Sequence, residues 1–164
     1  MIANPPTRLI VCVALFLPIV AFAQTGSSVV QNLTVEVRPI TKIAVSGNPG
    51  SLFITDAPHG ADVVSVSDNR SRYSMVTNMD NMKIVASISH EMPVGTKLMV
   101  KLESSSGLSN GAVDISNARA PVEVVTGLGR GSDLNQAITY TFAANTSVGS
   151  ISADSRVVTL TLTN

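Results

Sequence analysis

Apolar and polar residues alternate along most of the chain with a period of two. In residues 33–38, LTVEVR, the apolar side chains fall on one face and the polar side chains on the other. Comparable runs are short, rich in β-branched residues and bounded by Gly, Pro, Asn, Asp or Ser. The pattern predicts strands at residues 33–38, 42–47, 51–55, 62–67, 72–77, 82–88, 96–103, 112–116, 121–127, 137–143 and 156–163.

No segment carries the apolar stripe at three- and four-residue spacing that marks an amphipathic helix. The predicted strands recur about every ten residues, a spacing typical of antiparallel sandwiches and barrels. We therefore predict an all-β fold, an antiparallel immunoglobulin-like or pilin-like β-sandwich of about ten short strands.

Three breaks in the pattern make local predictions. Pro39 cannot donate to a β-ladder, so the first strand should kink there and pair differently on its two sides. Residues 78–81, NMDN, are typical of a tight hairpin loop because Asn and Asp tolerate left-handed backbone. Residues 127–136, GLGRGSDLNQ, form the longest Gly-rich polar break and are predicted to be an exposed loop.

The first 23 residues have the features of a secretory signal peptide. Arg8 precedes an apolar run that Pro18 interrupts, and Ala21 and Ala23 give the small residues of a cleavage site. The run is too short to favour a membrane span. We expect cleavage after Ala23, which leaves one β-sandwich domain at residues 24–164, exported to the periplasm or cell surface and without a membrane span.

Composition excludes several classes of protein. Cys12, the single cysteine, lies in the predicted signal peptide, so the exported domain should be held by its core without a disulfide. Eleven basic and eleven acidic residues leave no positive excess, which argues against nucleic-acid binding. The absence of Trp and the few aromatic residues give no support to a sugar-binding platform, and Tyr140 and Phe142 are predicted to pack in the core.

Candidate chemistry is sparse. His59 and His90 lie in a turn and at a strand end, and no G-x-S-x-G motif is present, so we predict that the protein is not an enzyme and has no cofactor. The methionines are concentrated near His90, and thioether sulfur binds copper(I). Met79, Met82 and His90 are therefore the candidate copper ligands, although methionines within strands are more simply explained as core filler.

Three stretches of the chain carry a resemblance to a known group of proteins. They are TKIAVSG at residues 41–47, YSMVTNMDNMKIVASISHEMPVGTKLMVKL at residues 73–102, and the final ITYTFAANTSVGSISADSRVVTLTLTN. With them the chain resembles a group of small exported bacterial β-sandwich proteins, and more broadly it is similar in architecture to pilin-type and immunoglobulin-like surface subunits. The resemblance implies a fold and an exported location and does not imply an activity.

The two ends of the exported chain suggest a way for it to associate with copies of itself. Residues 24–38 form a polar lead followed by an alternating strand, and an apolar strand ahead of a kink can complete the sheet of a neighbour. The alternative is that the last strand is paired on both sides within its own sandwich. In strand exchange the interface residues would be Val29, Leu33, Val35 and Val37 on the donor, and Val158, Leu160 and Leu162 on the acceptor.

We therefore expect a non-enzymatic, secreted structural or adhesive protein, a fibre subunit assembled by β-strand addition. Head-to-tail repetition of such a contact does not close, and so it yields a fibre. The alternative function is a monomeric exported or periplasmic binding module for a ligand such as copper.

Overall fold

The computed structural model describes residues 28–164. The predicted signal peptide, residues 1–23, and the first residues of the predicted exchange segment 24–38 lie outside this range. The chain divides into two units, Met1–Glu36 and Val37–Asn164. All described strands belong to the second unit.

Nine strands are present in residues 28–164. They are β1 (Thr41–Ser46), β2 (Val63–Thr77), β3 (Met82–Ile88), β4 (Thr96–Leu102), β5 (Leu108–Ser109), β6 (Val113–Asp114), β7 (Val122–Leu128), β8 (Gly131–Asn145) and β9 (Val158–Thr163).

The strands form two antiparallel sheets. The larger sheet has the order β1-β2-β8-β4-β6, and the smaller sheet has the order β5-β7-β3-β9. The two sheets pack on a shared core whose most deeply buried side chains are Tyr73, Met75, Ile84, Val100, Leu102, Ile115, Val124, Val125, Leu128 and Ile138. The predicted all-β, two-sheet architecture is confirmed, because period-two alternation buries one face of each sheet.

The alternation located several strands well and misjudged the length of others. β3 spans residues 82–88, as predicted. The predicted strands 62–67 and 72–77 are one continuous strand, β2, whose pairing with β8 shifts between Asp68 and Ser71. A β-bulge therefore absorbs the polar residues that the sequence pattern assigned to a break.

Two predicted strands are absent. Residues 33–38 and 51–55 have no strand pairing in the structure. Alternation identifies residues that suit a sheet, but a strand forms only where its backbone pairs with a neighbouring strand. Neither segment pairs with a described strand. Strand pairing does differ on the two sides of Pro39, since pairing with β2 begins at Thr41.

The prediction of an exposed loop at residues 127–136 is wrong. Only the turn around Gly129 and Arg130 separates β7 from β8, and β8 includes Gly131 onward. The polar residues of this stretch belong to a strand, and Asp133 is fully buried. Residues 78–81 do form a turn, with Asn81 at φ 57°, but it connects β2 to β3 in the opposite sheet and is not a hairpin.

The core contains Tyr140, as predicted, whereas Phe142 is half-buried outside the core cluster. Within residues 28–164 no helix has the length and apolar character needed to cross a bilayer.

Candidate functional site

The segment before β1 exposes a row of large apolar side chains. Val29, Leu33, Val35 and Val37 are between 81% and 91% exposed. They occupy the positions that alternation predicted for one face of a strand, yet residues 28–40 adopt no strand. Such a concentration of exposed apolar side chains is typical of an interaction segment.

Asn78 fixes the chain at the end of this segment. The Asn78 side-chain amide donates to the Arg38 carbonyl at 2.9 Å, and the Ile40 amide donates to Asn78 Oδ1 at 2.7 Å. The Asn78 amide in turn donates to the Ile40 carbonyl at 3.2 Å. The turn between β2 and β3 therefore holds residues 38–40 directly ahead of β1.

The last strand, β9, lies at the edge of the smaller sheet. It pairs with β3 from Val158↔Ile88 to Thr163↔Lys83 and with no other described strand. Leu162 is buried in the core, and Val158 and Leu160 pack against it. The exposed Thr159 and Thr161 lie on the opposite face.

The outer backbone edge of β9 is accordingly open to pairing. In the described part of the chain, the amide and carbonyl groups on that edge face no neighbouring strand. β1 is the corresponding edge strand of the larger sheet and lies near β9. A strand edge whose amide and carbonyl groups have no ladder partner is a template for another strand.

The candidate copper ligands do not converge. Met82 is in the core at the start of β3, and Met79 is half-buried next to it, where its sulfur accepts from the Thr41 hydroxyl at 3.7 Å. His90 is exposed beyond the other end of β3, with Nδ1 3.1 Å from Ser89 Oγ. Since strands rise about 3.3 Å per residue, Met82 and His90 are separated by roughly 20 Å or more.

A buried carboxylate forms a hydrogen-bond cluster that the sequence did not indicate. Asp133 on β8 accepts from Ser104 Oγ at 2.5 Å, from Ser105 Oγ at 2.7 Å and from the Ser105 amide at 3.2 Å. The Tyr73 hydroxyl lies 3.5 Å from Asp133 Oδ2 and donates to the Glu103 carbonyl at 2.7 Å. The cluster ties the loop after β4 to β8.

Hydrogen bonding determines the protonation of this cluster. Burial raises the pKa of Asp133, but hydrogen bonds from Ser104, Ser105 and Ser106 outweigh it, so the net pKa lies below its ordinary value. Burial, together with the negative charge of Asp133, raises the pKa of Tyr73 to about 12. Asp133 is therefore an ionised acceptor and Tyr73 a neutral donor at neutral pH. Among residues 28–164 no His, Cys, Asp or Glu side chains group together in a way that could hold a metal ion.

Comparison with protein-family models, curated proteins and solved structures gives no match to this chain.

Proposed function

We propose that the protein is a secreted, non-enzymatic structural subunit of the bacterial surface that assembles by β-strand addition. The observation that carries this proposal is the row of exposed apolar side chains at Val29, Leu33, Val35 and Val37. They have the alternation of a strand without a partner in the described chain. A second copy of the protein would supply that partner.

The open edge of β9 is the proposed acceptor. Added strands bind through backbone hydrogen bonds, and their alternate side chains enter the space beneath the edge. Val158, Leu160 and Leu162 provide an apolar inner face beside that edge. The neighbouring residues Thr159 and Thr161 lie on the opposite face of β9, which is exposed to solvent.

The energy available to such a contact is substantial. Burying a Val or Leu side chain contributes about 1.5–3 kcal/mol, so four donor side chains contribute about 6–12 kcal/mol before the costs of association and ordering. The donor and acceptor are different surfaces of one chain. Each subunit can therefore donate to one neighbour and accept from another, which extends the assembly into a fibre.

A monomeric exported binding module is the second candidate. A cleft of about 1150 Å³ in the described domain favours it. Copper is a poor ligand for such a module because Met82 and His90 lie at opposite ends of β3.

Interchain disulfide trapping tests the proposed pairing. The secreted form, predicted to begin at Gln24, contains no cysteine, so introduced thiols report on one contact each. Thr34→Cys on the donor is mixed, under mild oxidation, with a differently tagged Thr159→Cys, Thr161→Cys or Thr163→Cys acceptor. These three positions lie on one face of β9 about 7 Å apart, so one of them should oppose Thr34 within disulfide reach.

We expect a mixed disulfide with one β9 variant, formed much faster than with the others. Lys97→Cys is the control, because Lys97 is exposed on β4, which is flanked by β8 and β6. If Thr34→Cys forms a disulfide with each of the three β9 variants no faster than it does with Lys97→Cys, pairing at this edge is refuted.

A further inference from the structure

The backbone of β9 presents alternate residues to its open edge. The Ser89 amide donates to the carbonyl of Val157, the residue before β9, at 3.0 Å, so Val157 faces β3. The amide and carbonyl of one strand residue point to the same side, and successive residues alternate, so the threonines of β9 also face β3. The other three residues direct their amide and carbonyl groups to the open edge. They are Val158, Leu160 and Leu162.

The same three residues carry the inner face of β9. Leu162 is buried, whereas Val158 and Leu160 are half-buried at the rim of the core. In an antiparallel pair of strands, two residues directly opposite each other place their side chains on the same face. A donor strand with apolar residues opposite these three would therefore add three apolar side chains to the rim of the core.

The segment before β1 supplies three apolar residues at the same spacing. Leu33, Val35 and Val37 are consecutive alternate positions, and each is more than 80% exposed. The residues between them are polar and would share the solvent face with the threonines of β9. Val29 is set apart from the three by a polar position. Three donor residues thus match three acceptor residues, and this match alone permits either strand direction.

The two ends of the domain differ in which strands start and finish there. Thr41, the first residue of β1, pairs with Thr77, the last residue of β2. The turn after Thr77 leads to β3, whose start pairs with the end of β9 at Thr163. We call the end that holds Thr41 and Thr163 the entry end. The far end is the one where β9 starts, at Val158.

A short link ties the donor residues to the entry end of their own domain. Only residues 38–40 separate Val37 from Thr41, and Asn78 holds them through its hydrogen bonds. An extended chain advances at most about 3.6 Å per residue, so Val37 lies within roughly 14 Å of the start of its own β1. The entry end of the donor subunit therefore has to adjoin the acceptor residue that pairs with Val37.

The two strand directions consequently give different assemblies. In parallel pairing Val37 lies opposite Leu162, so the entry ends of both subunits meet and each open edge lies beside the other subunit's donor segment. A reciprocal exchange then closes at two subunits. In antiparallel pairing Val37 lies opposite Val158, so the entry end of one subunit meets the far end of the next. That contact repeats without closing.

We infer that the donor strand of one copy pairs with β9 of the next in the antiparallel direction, with each apolar donor residue directly opposite one inner-face residue of β9. The opposed pairs are Leu33 with Leu162, Val35 with Leu160, and Val37 with Val158. This inference rests on the proposed function and assigns a direction and a register to it. The direction is the one that extends the assembly into a fibre.

Disulfide formation in four pairings tests the direction and the register. In the inferred register Thr34 lies opposite Thr161, and Glu36 lies opposite Thr159. These would be non-hydrogen-bonded pairs with Cα atoms about 4.5 Å apart, within disulfide reach, whereas diagonal neighbours are about 7–8 Å apart and beyond it. Tagged Thr34→Cys or Glu36→Cys is mixed, under mild oxidation, with Thr159→Cys or Thr161→Cys in the protein that begins at Gln24.

We expect the two opposed pairings to form disulfides about tenfold faster than the two diagonal pairings. If the diagonal pairings are the fast ones, the donor is parallel, so the inference fails while strand addition at β9 stands. Any other pattern above the Lys97→Cys control indicates a different register and also overturns the inference. If no pairing exceeds that control, strand addition at this edge fails, and the inference fails with it.

A chain that carries both Thr34→Cys and Thr161→Cys separates a fibre from a closed dimer. In the inferred arrangement each oxidised chain is linked to two neighbours, so we expect a ladder of covalent oligomers on a non-reducing gel. Each single variant is the control, because one cysteine per chain cannot extend a covalent product beyond a dimer. A double variant whose products also stop at the dimer would overturn the antiparallel arrangement.

Discussion

Replacing Leu33 and Val35 together with aspartate is expected to abolish assembly and leave the folded domain intact. Both side chains are more than 80% exposed, so the substitutions remove no packing from the domain itself. In the assembled state they would lose about 3–6 kcal/mol of apolar burial, which weakens association at least a hundredfold. Two carboxylates forced beneath a sheet edge would weaken it further.

Light scattering across a concentration series measures this effect, with circular dichroism to verify the fold. Thr34→Asp is the matched control, because it adds a charge to the same segment at a position that would face water. We expect the control to weaken association several-fold at most. If the double variant assembles as well as the parent protein, the apolar row is not the donor.

Replacing Asp133 with alanine is expected to lower the free energy of unfolding by about 3 kcal/mol. The change removes the acceptor for Ser104 Oγ, Ser105 Oγ and the Ser105 amide, and it leaves partly buried donors unsatisfied. Asp133→Asn keeps one acceptor oxygen and should lower the free energy of unfolding by less than Asp133→Ala does. Urea unfolding gives both values.

Asp80→Ala is the control for this loss. Asp80 pairs with Arg130 at 2.9 Å on the surface, where an ion pair contributes about 1 kcal/mol or less. A loss in Asp133→Ala no larger than in Asp80→Ala would show that the buried cluster does not stabilise the fold.

The same cluster predicts the acid dependence of stability. The folded pKa of Asp133 lies below its ordinary value of 3.8, so the unfolded chain binds a proton at a higher pH than the folded chain does. The stabilisation is therefore complete well above pH 4 and is lost as the pH falls through the folded pKa. Asp133→Asn should show a weaker dependence on pH over that range, and identical dependence in both proteins would contradict the assignment.

The sequence pattern was informative where a strand is short, regular and packed on one face. β3 is an example for strand bounds, since both the pattern and the structure place it at 82–88, although Ile84, Val85 and Ala86 are all buried. β9 is similar, with Leu160 and Leu162 inside and Thr161 outside. In these strands local composition and tertiary packing favour the same result.

The pattern failed where pairing or burial depends on distant residues. Asp133 lies in a Gly-rich polar stretch, and only the serines after β4 make its burial favourable. Residues 33–38 have the alternation of a strand, but alternation does not specify the chain with which a strand pairs.

The most direct test of assembly by strand addition is the mass and shape of the unmodified protein that begins at Gln24. Gel filtration with light scattering, and negative-stain microscopy of the same fractions, should show masses that rise with concentration and thin fibres. Both should disappear when residues 24–38 are removed. A monomer whose mass stays constant up to the highest soluble concentration would contradict the proposed function.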